Sequence, residues 1–271
     1  MRIFPAHLRQ TYQKAFTLVE MAVVLVIIGL VLSGLLVSLS AQVERKNFNE
    51  TEATLDNIKE ALLGYAMANG RFPCPAATPA TGITAVEAFA AGGSATNGNC
   101  AGFFNGYVPS VTLGLSPTDT NEYVLDGWNN PIRYAIANLS DDANATRIFT
   151  KSSGMKTANS TTCSPNCGMT WIASQTLLSV CSTGTGIVSG ACSGATTRLT
   201  QGAVIVVYST GKNTATGGTG TDEAANLNAD AAFVSHPPFA VGASNGEFDD
   251  IVEWISASTI FGRLVQANQL P

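Results

Sequence analysis

Hydrophobic patterning is most pronounced near the start of the chain, where a mainly apolar stretch without charge runs from Met21 to Leu39. At a rise of about 1.5 Å per residue, roughly 20 such residues form a helix that crosses the hydrocarbon core of a bilayer. Glu20 directly precedes the stretch, and a carboxylate at that position requires headgroup water or a cationic partner. The pattern therefore predicts a membrane-spanning helix with one acid at its edge.

Beyond Leu39 the same helix is predicted to become amphipathic. The pair Asn69-Gly70, followed by Pro73, is a typical helix stop. A helix over residues 16–69 is therefore apolar on every side in its first half, which requires lipid or other helices around it. Its second half carries one apolar stripe that we expect to pack on a globular domain. The stripe consists of Phe48, Leu55, Ile58, Leu62 and Tyr65.

The rest of the chain alternates between strand-like and turn-like segments. Strands are predicted at residues 132–137, 146–151, 169–181, 203–208 and 248–255. Loops are predicted at the Gly-, Ser- and Thr-rich segments 76–125, 182–200 and 211–230. A short helix over residues 257–267, with Ser256 as its N-cap, follows the last strand. The predicted fold class is α+β: a long N-terminal α-helix packed on a mostly antiparallel β-sheet, with long disulfide-pinned loops.

Charge is sparse and unevenly distributed. The 271 residues carry a formal net charge of −5, and only 12% of them are charged. Residues 71–271 hold eight basic and thirteen acidic residues, without a basic stripe, which argues against nucleic-acid binding. The positive residues before the apolar stretch are Arg2, Arg9 and Lys14, and they predict a cytoplasmic N-terminus and an exported C-terminal domain.

Six cysteines lie in the predicted exported part, and an even number in an oxidising compartment suggests disulfides. Six cysteines allow fifteen pairings, and the sequence alone does not choose among them. Proximity in sequence favours three local pairs: Cys74 with Cys100, Cys163 with Cys167, and Cys181 with Cys192. A zinc site at Cys163 and Cys167 is disfavoured, because the spacing is not Cys-x-x-Cys and no histidine is near.

No catalytic constellation is found. Beyond residue 15 the chain has one histidine, His236, and the stretch Gly242-Ala-Ser-Asn-Gly246 matches Gly-x-Ser-x-Gly. A nucleophile elbow needs a strand before it, a helix after it and a later histidine, and none of these is predicted here. A flexible loop explains the stretch better, and the chain is predicted not to be an enzyme.

One family resemblance rests on Lys14-Ala-Phe-Thr-Leu-Val-Glu20 and the apolar run that follows. This segment resembles the processing site of type IV prepilins and type II secretion pseudopilins. The resemblance implies cleavage between Ala15 and Phe16, methylation of Phe16, and a role for Glu20 with Phe16 in assembly. Ala15 stands where the family usually has Gly. The implied domains are a leader at 1–15, a transmembrane and assembly helix at 16–70, and an exported β-rich domain at 71–271.

Two further stretches resemble parts of pseudopilins. The turn Asp126-Gly-Trp-Asn-Asn-Pro131 is similar to their Trp-Gly-Asn-Pro turn, although a plain turn explains it as well. Residues 248–255 are similar to a strand near which acids bind calcium in the major type II secretion subunit. The resemblance implies Asp249 and Asp250 as calcium ligands, and solvated acids are the alternative. Other acids that might add ligands are Asp222, Glu223, Asp230 and Glu247.

The resemblance implies a structural subunit, and the chain's size favours a minor one, in a type IV pilus or a secretion pseudopilus. Its implied partners are other pilin or pseudopilin subunits, prepilin peptidase and an inner-membrane assembly platform. The implied location is the bacterial inner membrane, single-pass, with a periplasmic C-terminal domain, and then a filament. A pilus-tip adhesin or surface-binding module delivered by the same helix remains the alternative, and the choice between pilus and pseudopilus stays open.

Overall fold

The computed structural model describes residues 17–140, 147–158, 169–213, 220–240 and 242–270. Within these ranges the α-helices are α1 (Leu18–Asn69), α2 (Ser110–Leu113), α3 (Gly154–Ala158), α4 (Met169–Ser174), α5 (Thr221–Leu227) and α6 (Ala257–Gln266). The strands are β1 (Gly106–Tyr107), β2 (Arg133–Ile136), β3 (Leu178–Cys181), β4 (Arg198–Ser209), β5 (Ala232–Val234) and β6 (Ile251–Ser256).

Strand β4 is the centre of the sheet. The strand order is β1-β2-β4-β3-β5, and β6 also pairs with β4. Ile205 of β4 lies opposite Ile136 of β2 on one side and opposite Ile255 of β6 on the other. All pairings are antiparallel except that of β3 with β5, which is parallel. The architecture is therefore α+β with a mostly antiparallel sheet, as predicted.

The core forms where α1 meets this sheet. Residues 203–208 of β4 are fully buried, which a β-branched run flanked by strands on both sides explains. Leu55, Ile58 and Leu62 of α1 join the same hydrophobic cluster at 0–1% exposure. Their spacing of three and four residues places them on one helix face. The predicted packing of this half of the helix on the sheet is thus observed.

Helix α1 begins with a capping box. The amide of Glu20 donates to the Thr17 hydroxyl at 3.2 Å, and the amide of Thr17 donates to a Glu20 carboxylate oxygen at 3.5 Å.

The chain divides into two compact units, of which the first ends at Lys46 and the second begins at Asn47. Among the described residues, no helix combines the length and apolar character needed to cross a membrane.

Two disulfides pin loops of the second unit. Cys74 is joined to Cys100 and Cys181 to Cys192, which are two of the three pairs favoured by proximity in sequence. The third pair, Cys163 with Cys167, lies outside the described residues. The loop between Cys74 and Cys100 contains isolated bridges rather than strands, in keeping with the predicted loop character of residues 76–125.

Three sequence-based assignments were wrong. Residues 169–174 form helix α4 rather than strand, because a short apolar run does not distinguish a buried helix from a strand. Residues 147–151 form a turn, closed by the Lys151 amide donating to the Arg147 carbonyl at 3.0 Å. Residues 221–227 form helix α5 where a loop was predicted. The acidic residues in its first turn stabilise the helix through their interaction with the helix dipole.

Other predicted elements are present. The strands predicted at 132–137, 203–208 and 248–255 correspond to β2, β4 and β6, although β4 begins at Arg198, within the predicted loop 182–200, and β6 begins only at Ile251. The predicted C-terminal helix is α6, and the Ser256 side chain caps it by accepting from the Thr259 amide at 3.3 Å. Strand β5, at residues 232–234, was not predicted.

The turn at residues 126–131 docks closely on α1. The Gly127 amide donates to the Thr51 hydroxyl at 2.9 Å. A Cβ atom on Gly127 would overlap the backbone of Asn47, so only glycine allows this approach. Gly64, in contrast, has nothing within 4 Å of where its Cβ would lie.

Gly127→Ala is expected to lower the free energy of unfolding by about 1–3 kcal/mol, because the added methyl group forces the turn away from the helix. Gly64→Ala is the matched control and is expected to raise stability by about 1 kcal/mol through helix propensity. Urea unfolding of the purified chain in detergent, followed by circular dichroism, measures both. Equal effects of the two variants would contradict the close docking.

Candidate functional site

The N-terminal candidate residues fall at the boundary of the described chain. Ala15 and Phe16, the predicted processing residues, lie outside the described residues. Glu20 lies in the first turn of α1, where it forms the capping box with Thr17. Its carboxylate therefore already caps the start of the helix. A test of a role in assembly has to distinguish that role from this capping.

The helix surface after Glu20 is apolar and exposed. Every residue from Thr17 to Val31 is exposed, and Leu18 reaches 87%. The large apolar side chains in this segment are Leu18, Val19, Met21, Val23, Val24, Leu25, Val26, Ile27, Ile28, Leu30 and Val31. Monomeric soluble proteins rarely expose a contiguous apolar surface of this extent, so this segment requires a covering partner.

The second candidate site is a cluster of three acids in the second unit. Asp249 and Asp250, the predicted calcium ligands, converge with Glu223. One ligand atom from each of the three residues lies within 4.8 Å of the others. Asp249 and Asp250 directly precede β6, and Glu223 lies in the first turn of α5. The fold thus brings together acids that are about 26 positions apart in the chain.

Hydrogen bonds hold these carboxylates, and two of their oxygens have no partner within the described part of the chain. Glu223 Oε1 accepts from the Asn213 amide side chain at 2.8 Å, and Asp249 Oδ2 accepts from the Lys212 backbone amide at 3.0 Å. Asp250 Oδ2 accepts from Asn226 at 2.7 Å. Glu223 Oε2 and Asp249 Oδ1 are buried atoms that accept no hydrogen bond from the described residues, and the Glu223 residue as a whole is only 1% exposed.

Burial makes the charged state of these acids costly. It raises the pKa of Asp250 to about 8, and the charges of Glu223 and Asp249 act in the same direction. Burial likewise raises the pKa of Asp249 to about 6, with the charge of Glu223 as the next cause. A buried group of like charges of this kind is stable only when it binds protons or a cation.

The three residues fit a calcium ion. Calcium binds oxygens at about 2.3–2.6 Å, so two ligands on opposite sides of the ion lie up to about 5 Å apart. The 4.8 Å spread of the three acids agrees with that limit. Glu223 Oε2 and Asp249 Oδ1, which have no hydrogen-bond partner among the described residues, are carboxylate oxygens that could bind such an ion. The remaining ligands would be carbonyl oxygens or water, since calcium takes six to eight oxygens.

The other acids considered from the sequence are placed differently. Asp222 is buried and accepts hydrogen bonds from several groups. One of them is His236, whose Nε2 lies 3.2 Å from Asp222 Oδ2. Burial alone would raise the pKa of Asp222, but hydrogen bonds outweigh it and lower the pKa. The donors, besides His236, are Thr183, Gly184 and Asn245. Asp230 accepts from the Ala232 amide within its own turn, and Glu247 is not among the three converging acids of the described chain.

His236 has a packing role in this structure. Its ring stacks against Phe248, with centroids 3.9 Å apart, and against Phe239, with centroids 4.7 Å apart. The stretch 242–246 forms turns between Phe239 and Phe248, and its Asn245 side chain donates to Asp222. Neither a preceding strand nor a following helix positions Ser244 as a nucleophile among the described residues.

Sequence reasoning missed the residues that support the acid cluster. Asn213 and Lys212 lie in a stretch predicted as a featureless loop, yet they donate to Glu223 and Asp249. Gly211 has φ 62°, and a side chain there would overlap Asp249. A glycine two residues after the end of a buried strand was the available signal, but it did not indicate which acids lie opposite.

Comparison with known proteins bears on the N-terminal segment. Residues 10–36 match the family model described as the prokaryotic N-terminal methylation motif. This motif is the prepilin-type signal of type IV pilins and pseudopilins, and it confirms the resemblance predicted from residues 14–20. It implies a pilin-like or pseudopilin subunit, a structural role rather than a catalytic one. No curated protein and no solved structure shows a significant match to the chain.

Calcium is expected to raise the midpoint of thermal unfolding of the purified chain, and a chelator is expected to lower it, because an ion bound by the three converging carboxylates would stabilise the folded state and offset their repulsion. Glu223→Gln is expected to remove most of the calcium effect. The matched control is Glu52→Gln, which neutralises an exposed acid of α1 and is expected to keep the full effect. A calcium response in Glu223→Gln equal to that of the wild type would contradict the site.

Proposed function

We propose that this chain is a minor structural subunit of a type IV pilus or a type II secretion pseudopilus. The observation that carries the proposal is the match of residues 10–36 to the N-terminal methylation motif. The uncharged run from Met21 to Leu39, most of which lies within the matched residues, is what a helix used first for membrane insertion and then for assembly requires. In this proposal the chain acts by polymerising, and it carries out no catalysis.

The exposed apolar segment of α1 supports this role. A helix that is apolar on all sides is stable in lipid or among other helices, and transfer from one to the other changes its solvation little. In this proposal, residues 16–70 anchor the chain in the bacterial inner membrane and then enter the filament. Residues 71–271 form the exported domain, which is periplasmic before assembly.

In this proposal, processing creates the amine of Phe16, with which Glu20 would form an ion pair. Prepilin peptidase would cut between Ala15 and Phe16, remove leader 1–15 and leave an amine on Phe16. In the assembled filament Glu20 would neutralise the Phe16 amine of a neighbouring subunit. A charge pair in an apolar helix bundle fixes the register of its helices, because any other register leaves a charge unpaired. The inner-membrane assembly platform would supply the machinery for extrusion.

The variants Glu20→Ala and Glu20→Gln test this function together. Glutamine keeps the acceptor of the capping box and loses the charge, whereas alanine loses both. We expect both variants to be inserted and processed but to be depleted at least about tenfold from sheared filaments, because the charge pair is absent. Quantitative immunoblotting of filament and membrane fractions measures this ratio.

Two results would contradict the proposed pairing. Normal incorporation of Glu20→Ala would show that neither the charge nor the cap is needed. Normal incorporation of Glu20→Gln with loss of Glu20→Ala would show that the carboxylate acts only as a helix cap. In either case the register of the filament would have to be set by another contact.

A second candidate function, a tip-located adhesin or surface-binding module, is favoured by the loops of the second unit. Ile83, Val86 and Val111 are each at least 40% exposed, and the Val111 amide donates to the Ala85 carbonyl at 3.1 Å, next to Val86. Exposed aliphatic side chains on the loop closed by Cys74 and Cys100 and on the adjacent helix α2 suit a contact surface. Counting copies per filament by mass spectrometry separates the roles, because a tip module is present once or a few times and a shaft subunit in many copies.

A further inference from the structure

The segment that follows β4, residues 209–213, contacts the acid cluster on one of its sides. The Lys212 amide donates to Asp249 Oδ2 at 3.0 Å, and the Asn213 side chain donates to Glu223 Oε1 at 2.8 Å. Gly211 lies so close to Asp249 that a Cβ atom there would overlap the carboxylate. Any displacement of these two carboxylates therefore moves the segment.

The same segment is bonded on its other side to the turn at residues 126–131. The Asn130 side chain donates to the Gly211 carbonyl at 2.7 Å. The Ser209 hydroxyl donates to Asp126 Oδ2, and the Gly211 amide donates to the Ser209 hydroxyl at 3.0 Å. Residues 209–213 thus join the acid cluster to the turn through direct hydrogen bonds.

On the side away from residues 209–213, the turn at residues 126–131 contacts α1 at Asn47 and Thr51. Asp126 Oδ1 accepts from the amides of Trp128 and Asn130 at 2.9 and 2.8 Å, which fixes the shape of the turn. Gly127 then donates to Thr51, and no space remains between Gly127 and Asn47. Asn47 is the first residue of the second unit, so the turn contacts the helix at the point where that unit begins.

The acid cluster is the part of this route that a cation would change. With a cation bound, Glu223 and Asp249 would be drawn towards one point, and their bonds to residues 212 and 213 would keep that segment in place. Without a cation, the carboxylates of Glu223, Asp249 and Asp250, which lie within 4.8 Å of one another, would repel unless they take up protons. Separation of Asp249 from Glu223 would release the Lys212 amide and, with it, the contacts of Gly211.

We propose that cation binding by Glu223, Asp249 and Asp250 controls how firmly the turn at residues 126–131 is docked on α1, through Gly211 and Asn130. Asn130 is in this account a positioning residue, because it contacts none of the three acids. The inference rests on the cation site proposed above. In a filament subunit, the docking of the turn on residues 47–51 of the helix would then depend on the divalent cation concentration outside the cytoplasm.

Hydrogen exchange with mass spectrometry on the purified full-length chain in detergent tests the proposal, with calcium chloride at about 1 mM against a chelator. In the wild type, calcium is expected to slow exchange about fivefold or more in peptides covering 209–213 and 126–131, including the Gly127 amide that bonds to Thr51. In Asn130→Ala the slowing at 209–213 is expected to persist and that at 126–131 to be reduced, because the bond from Ser209 to Asp126 is then the link that remains. Isothermal titration is expected to show calcium affinity within about threefold of the wild type, because the ligands are unchanged.

Thr51→Val is a second variant that does not depend on the behaviour of Asn130→Ala. It removes the acceptor of the Gly127 amide and is expected to abolish protection of Gly127 while the response at 209–213 remains. Asn105→Ala alters an exposed asparagine outside the route and is expected to respond as the wild type does.

Three results would overturn the inference. They are calcium protection confined to residues 209–213 in the wild type, an undiminished response at 126–131 in Asn130→Ala, or no binding of calcium by the wild type. The last result removes the cation site itself and is seen directly in the titration. None of the three bears on filament assembly, which the Glu20 variants test separately.

Discussion

The burial of strand β4 is the constraint on which the rest of the second unit depends. Its run of β-branched residues is hydrogen-bonded to β2 and β6 and covered by Leu55, Ile58 and Leu62 of α1. This arrangement fixes where the strand ends, and its end positions Ser209 and the segment after it. The acid cluster and the turn at residues 126–131 both attach to that segment, so the candidate cation site is built on the rigid centre of the fold.

Helix α1 meets opposite physical requirements along its length. In the second unit its apolar stripe packs against the sheet, whereas residues 21–31 are exposed and carry no charged side chain. A segment of that composition is stable only among lipid tails or other helices. The match of residues 10–36 to the methylation motif gives this requirement a biological context, because the proposed filament subunit would use one helix in both environments. The proposed filament role follows from that combination.

Sequence patterns predicted the parts of the structure that are determined locally. The β-branched run of β4, the amphipathic face of α1 and the Ser256 cap of α6 all carry short-range signals. Helix α4 was misassigned because a short apolar run fits both helix and strand. Glu223 was one of four candidate acids, and it could not be chosen because helix α5 was not predicted. The bond between Asp126 and Ser209 spans 83 positions, and no local pattern encodes such a contact.

The central claim is that the chain enters the prepilin pathway, and the intact mass and N-terminal sequence of the protein from its native membrane test it most directly. The account predicts a chain that begins at N-methylated Phe16, fifteen residues shorter than the full sequence. This result would also show that Ala15 is accepted before the cleavage site. A chain that still begins at Met1 would contradict the account, because Glu20 would then have no processed amine to pair with.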